Sequence, residues 1–233
     1  MLRLKELTSG YGSVPIVRDL NLEINEGEIT VILGRNGVGK TTLMKTIIGV
    51  LPVIKGLIAF REKDVTTLSA SSRARFGMGY VPQGRGIFPR LTVEENLMMG
   101  HFINIESSRE RLYEKVYSMF PRLDERRRQK GGTLSGGEQQ MLAIGRAIVG
   151  NPDMLILDEP SEGVQPSIVQ ELVPLLTGLN HDLGLTILVV EQNLDFAMSL
   201  ANRCYIMDRG TIVAELDKSE MTDSERIRRY LAI

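Results

Sequence analysis

Apolar and polar positions along the chain fall into short runs with two different periods. LRLKEL, EITVIL, GLIAF, MGYV, MLIL and LTILVV read as strands, while TTLMKTIIGVL, following EITVIL, repeats at helical spacing. MLIL and LTILVV are apolar without interruption, the pattern of strands covered on both faces. RCYIMDRGTIVAEL alternates on two arms around Asp208–Gly210 and predicts a hairpin. Strands alternating with helices predict an α/β fold with a largely parallel sheet.

Between about residues 91 and 150 the strand pattern gives way to helical periodicity. Thr92, three positions before Glu95, forms a capping-box pattern that starts the first helix. ERLYEKVYSMF continues at helical spacing, and DERRRQK reads as a solvated helix end. The pattern predicts one domain over 1–233, with a core at about 1–90 and 151–233 and a helical insertion at about 91–150.

Composition narrows the function. A chain of 233 residues, 42% hydrophobic, supports one sizeable core, and 28 basic against 29 acidic residues argue against nucleic-acid binding by bulk electrostatics. One cysteine, Cys204, excludes an internal disulfide and a cysteine-cluster metal site; within CYIM it reads as a buried small residue. No leading apolar region and no run of ~18 apolar residues is present, which predicts a cytosolic chain unless a partner holds it at a membrane.

The chemistry begins where EITVIL runs into GRNGVGKTT, which fits G-x-x-x-x-G-K-[ST]. Such a loop (Gly34, Arg35, Asn36, Gly37, Val38, Gly39) turns backbone N–H groups around an anion, and the following helix adds its dipole. Lys40 reaches the β- and γ-phosphates, the Thr41 hydroxyl suits Mg²⁺, and Thr42 completes the segment. MLILDEP ends a second buried strand in Asp158, placed to hold Mg²⁺, and Glu159, placed to orient a water for in-line attack. A helix cap is the alternative for Asp158, because Pro160 follows. LSGGEQQ then adds a second anion-binding helix start at Ser135, Gly136, Gly137 and Glu138. One nucleotide does not need two cradles from one chain, so the second is expected to serve a neighbouring copy.

In GRNGVGKTT, VPQ, LSGGEQQ and LILDEP, in that order, the chain resembles the nucleotide-binding subunit of ABC transporters over essentially its whole length. The resemblance implies a P-loop core with a mostly parallel sheet, an antiparallel N-terminal β region and an inserted helical subdomain. It implies ATP and Mg²⁺ as cofactors and a dimer that closes on ATP, formed with an identical or a related subunit. Its implied partners are two membrane-spanning permease subunits and an external solute-binding protein. Its place would be peripheral, on the cytoplasmic face of a bacterial inner membrane. Tyr11 matches the aromatic that stacks on adenine, and Ile16 stands where a residue packs beside the base. Gln83 matches the glutamine that touches Mg²⁺ and the attacking water. Phe88 and Leu91 are either the floor of the groove for a permease helix or subdomain core.

Two positions depart from that family. ILVVEQN carries Gln192 where a histidine usually contacts the γ-phosphate, and PSEGVQP carries Gln165 where an aspartate is common. Gln192 is read as a γ-phosphate sensor beside the catalytic Glu159, with Glu191, Gln192 and Asn193 all expected to face the nucleotide. His101 and His181 fall elsewhere and are expected at the surface. The switch glutamine, FPRLTVEENL and EG-x-x-P resemble importers of branched-chain amino acids and of amides such as urea. GRNGVGKTT, VPQGRGIFPR and SEGVQPSI lean to the urea branch. A soluble ABC ATPase acting on ribosomes or DNA, and a P-loop kinase, are the rival classes.

Overall fold

A computed structural model describes residues 1–103, 109–222, 227 and 231. Strands β1 (Leu2–Tyr11) and β2 (Val14–Ile24) form an antiparallel pair, and β3 (Ile29–Leu33) leads through the glycine loop into helix α1 (Lys40–Ile47). β4 (Val53–Phe60), β5 (Lys63–Asp64), α2 (Ala70–Arg75) and β6 (Met78–Val81) follow. Next come the helices α3 (Val93–His101), α4 (Arg109–Met119), α5 (Pro121–Glu125) and α6 (Gly136–Val149). The chain then alternates β7 (Met154–Asp158), α7 (Pro166–Leu183), β8 (Thr186–Glu191) and α8 (Leu194–Leu200), and goes on into the hairpin β9 (Arg203–Asp208) and β10 (Thr211–Asp217).

Two sheets result. One is antiparallel, in the order β2-β1-β4-β5; the other runs β10-β9-β3-β8-β7-β6, parallel except for the antiparallel β10 edge. Alternation along the central strands divides the core. Val31, Leu33, Leu155, Leu157, Ile187 and Val189 pack toward the helices, whereas Ile32, Ile156, Leu188 and Val190 pack toward α1 and the antiparallel sheet. Every residue of β3, β7 and β8 is buried, the burial expected of parallel strands with both faces covered. Each fully buried Leu, Ile or Val in these layers contributes about 1.5–3 kcal/mol.

The strand expectations hold for EITVIL, MGYV, MLIL and LTILVV, and the hairpin turns through Arg209 and Gly210, both in the left-handed region. The capping box is present: Glu95 N donates to Thr92 Oγ1 at 3.2 Å, and Thr92 N to Glu95 Oε2 at 2.8 Å. DERRRQK is less free than a solvated end, because Arg126 pairs with Glu138 at 3.1 Å and Arg127 lies 4.0 Å from the Tyr117 ring centroid. His101 is not a surface residue; it closes α3 with its side chain buried, while His181 is exposed as expected. Cys204 is buried in β9, and burial pushes its thiol up to about 12, so it is inert packing.

Candidate nucleotide site

β3, β8 and β7 lie side by side in that order, so their carboxyl ends bring the residue 34–42 loop, Glu191–Gln192 and Asp158–Glu159 to one edge of the sheet. Ligands of open α/β sheets bind at that edge. Gly34 N donates to Glu191 O at 3.0 Å, tying the loop to the end of β8. Gly39 precedes α1 at φ 110°, which a side chain rarely adopts, and a Cβ there would stand 3.2 Å from Ile16 Cγ2. Ile16 therefore lies against the start of α1, and Tyr11 ends β1 with half its surface exposed. Arg35, Asn36 and Gly37 are exposed along the loop, Val38 is half-buried and Thr42 is buried.

Lys40 is almost wholly buried. Its ammonium donates to Gly34 O at 2.8 Å and Arg35 O at 3.0 Å, and pairs with Glu159 Oε1 at 3.0 Å. Thr41 Oγ1 donates to Asp158 Oδ1 at 3.1 Å, and Tyr80, at the end of β6, donates to Asp158 Oδ2 at 3.0 Å. Burial raises the Asp158 carboxyl above the usual carboxylate range; hydrogen bonds from Tyr80 and Thr41 only partly counter it. Burial and the neighbouring Asp158 hold the Tyr80 phenol above its ordinary value, so it remains a donor.

A carboxyl whose folded pKa is raised binds its proton more tightly in the folded chain than in the unfolded one, so its contribution to stability falls as pH rises through that window. Asp158→Asn removes the penalty. Without nucleotide the variant is expected to melt a few degrees above the native chain near neutral pH, and that advantage should shrink as pH falls to about 4. Thermal unfolding across this range checks it.

Glu159 sits at φ 50°, a left-handed conformation that costs a non-glycine residue of order 1–2 kcal/mol. Glu159 N donating to Val190 O at 3.0 Å and Glu162 N donating to Glu159 O at 3.1 Å hold the turn. The turn aims the carboxylate back at Lys40. Gln83 Nε2 donates to the other oxygen of Glu159 at 3.2 Å and to Glu162 at 2.8 Å. The three polar residues at the end of β8 divide their work. Glu191 turns inward and accepts from Ser161 N, Gln192 N and Asn193 N at 3.0, 2.9 and 3.0 Å. Asn193 caps α8 through Phe196 N at 3.1 Å. Only Gln192 lines the open cavity of about 400 Å³ shared with Gly34, Arg35, Asn36 and Leu231. The expectation that all three point outward together is corrected for Glu191, which turns inward, and for Asn193, which caps α8.

Ser135 is the N-cap of α6 and exchanges a complete capping box with Glu138. Burial alone would raise the Glu138 carboxyl; bonds from Ser135 and the charge of Arg126 outweigh it and hold it below the usual range. A Cβ at Gly137 would stand 2.7 Å from Ile168 Cγ2, so glycine lets the first turn of α6 pack on α7. Among the described residues no hydrogen bond or ion pair joins Ser135–Glu138 to the 34–42 loop. Gln165 precedes α7 without a side-chain cap bond. Phe88, 41% exposed, lines an apolar groove of about 320 Å³ with Ile48, Met99, Ile103 and Arg146, and Leu91 lies outside it.

The glycine loop after β3, the buried lysine and the two consecutive acids at the end of β7 define a nucleoside-triphosphate hydrolase of the P-loop class. The ABC transporter family pattern matches residues 17–162. The chain is 40% identical over 228 residues (98% of it, 97% of the relative) to the high-affinity branched-chain amino acid transport ATP-binding protein BraG of Pseudomonas aeruginosa. It is 34% identical over 230 residues (98% and 95%) to the lipopolysaccharide export system ATP-binding protein LptB of Escherichia coli. The ADP conformation of MJ1267, an ATP-binding cassette of an ABC transporter, superposes with a TM-score of 0.86 at 28% identity, covering 100% of this chain and 99% of that one. The chain belongs to the ABC transporter family and is an ATP-binding, ATP-hydrolysing transport ATPase.

Proposed function

We propose that this ATPase powers a multi-subunit importer of small amides or amino acids, and that two copies, or this chain and a related one, close around two ATP molecules. The observation that carries the composite site is the second cradle at Ser135, which makes no polar contact with the first. In this reading the loop 34–39 with Lys40, Thr41 and Thr42 holds the phosphates of one ATP, Tyr11 and Ile16 flank its base, and Ser135, Gly136, Gly137 and Glu138 of the partner complete the site. The domain is single, over 1–233, with its core at about 1–90 and 151–233 and its helical subdomain at about 91–150.

Lys40 holds Glu159 through their ion pair. A bound polyphosphate competes for the same ammonium, which frees the Glu159 carboxylate to orient the attacking water. Gln192 donates its amide to the γ-phosphate side, and Gln83 carries the position of the catalytic loop toward the groove. The oxygen donors Thr41 Oγ1 and Asp158 Oδ1, 3.1 Å apart, fit a hard cation such as Mg²⁺, with Gln83 as a further ligand. When bound, the ion neutralises phosphate charge.

Among the described residues no helix is long and apolar enough to cross a membrane. The exposed Phe88 groove suits a short apolar helix of one permease subunit, the partner ATPase taking that of the second, which would hold the chain on the cytoplasmic face of the inner membrane, with solute supplied by an external binding protein. Two solutes have separate support. The BraG relative favours branched-chain amino acids; the resemblance of GRNGVGKTT, VPQGRGIFPR and SEGVQPSI to the amide branch favours urea or short amides. Uptake of labelled leucine and labelled urea, with and without the gene, separates them. Loss of leucine uptake alone assigns the first, loss of urea uptake alone the second, and no change in either contradicts both.

A further inference from the structure

Arg85 stands in the loop between β6 and α3 at φ 72°, between Gly84 at 75° and Gly86 at 58°. Left-handed backbone costs an arginine of order 1 kcal/mol or more. Its guanidinium reaches two other segments. Nη1 donates to Gln139 Oε1 at 3.2 Å, in the first turn of α6, and Nη2 donates to Gly163 O at 3.0 Å, in the turn after Glu159. The same Nη2 would be 3.1 Å from a Cβ placed on Gly136. Two residues earlier, Gln83 donates to Glu162 at 2.8 Å. Residues 83–85 are thus fastened twice to the turn after Glu159 and once to the helix that Ser135 caps. Phe88, three residues further on, opens onto the apolar groove.

We infer that Arg85 is a positioning residue that holds the start of α6 at a fixed place relative to the Glu159 turn, so that ATP closure meets a preset second cradle. The inference rests on the composite site proposed above. The work needs a planar fork: two acceptors on separate segments are met by two donors of one rigid group, which a lysine ammonium does not reproduce.

The test uses full-length Glu159→Gln chains titrated with ATP, with mass followed by light scattering. Adding Arg85→Ala should raise the ATP concentration for half-dimerisation about tenfold, the worth of a charged hydrogen bond. ATP binding by the single chain, measured at dilution with a fluorescent nucleotide, should stay unchanged. Arg85→Lys should behave like Arg85→Ala. Gln139→Ala, which removes one arm, should give a smaller shift and add nothing further in the double variant. An unchanged half-dimerisation point in Arg85→Ala, or an equal loss in single-chain binding, overturns the inference. A Glu159→Gln chain that stays single at saturating ATP overturns the composite-site reading, and Arg85's role with it.

Discussion

Glu159→Gln is expected to lower ATP turnover about a thousandfold while leaving ATP bound, the size of loss typical of removing a positioned general base. The geometry explains why the two effects separate. The carboxylate lies at the turn after β7 and faces Lys40; in the proposed mechanism its part is to orient water rather than to hold phosphate. The neutral amide keeps the shape of the side chain but has no charge to polarise water. Lys40 retains the Gly34 and Arg35 carbonyls as partners, so the loop stays formed. Single-turnover hydrolysis of labelled ATP, alongside filter binding, measures both quantities. Equal loss of binding and turnover would assign Glu159 to the nucleotide cradle instead.

Lys40→Ala is expected to do more damage, and to the fold as well. It removes the cation proposed to reach the phosphates, so nucleotide binding should fall at least about a hundredfold, the cost of a lost charge-assisted contact and an unpaired buried partner. It also leaves Glu159, 5% exposed by side chain, without its ion pair. Breaking a buried pair from one side costs about 3–5 kcal/mol, which for a chain of this length lowers the melting temperature by roughly 10 °C. Removing the second charge should recover much of that loss, because the neutral amide needs no counter-ion. Differential scanning calorimetry of Lys40→Ala, Glu159→Gln and the double variant gives the coupling directly. Additive losses would mean that the ion pair contributes nothing to stability.

These two residues were legible from the chain because motif and strand pattern agree. A buried apolar run followed by GRNGVGKTT, and another followed by Asp158–Glu159, place loop and acids at strand ends before any coordinates exist. The long apolar stretches made β3, β7 and β8 visible for the same reason. Other parts depend on contacts between segments distant in sequence. Tyr80 supports Asp158 across 78 positions, and the only local hint is an aromatic ending a strand. Glu191 reads like a site carboxylate, yet it accepts three backbone N–H groups and builds the loop that presents Gln192. His101 reads as surface from its place in the helical insertion, yet it ends α3, which packs on α6, and its side chain is buried. Arg85 falls within VPQGRGIFPR, but nothing local shows its task, because its acceptors, the Gln139 side chain and the Gly163 carbonyl, lie 54 and 78 positions away.

If one catalytic site takes its loop from one chain and its second cradle from another, two inactive variants should restore each other on mixing. Lys40→Ala destroys the first cradle and Ser135→Arg blocks the second. A mixed dimer holds one site in which both are spoiled and one in which both are intact. The account predicts that ATP hydrolysis, absent from each variant alone, appears on mixing and peaks near equal proportions. Hydrolysis that stays absent at every ratio, although the two variants are shown to pair, would contradict it and place the whole site within a single chain.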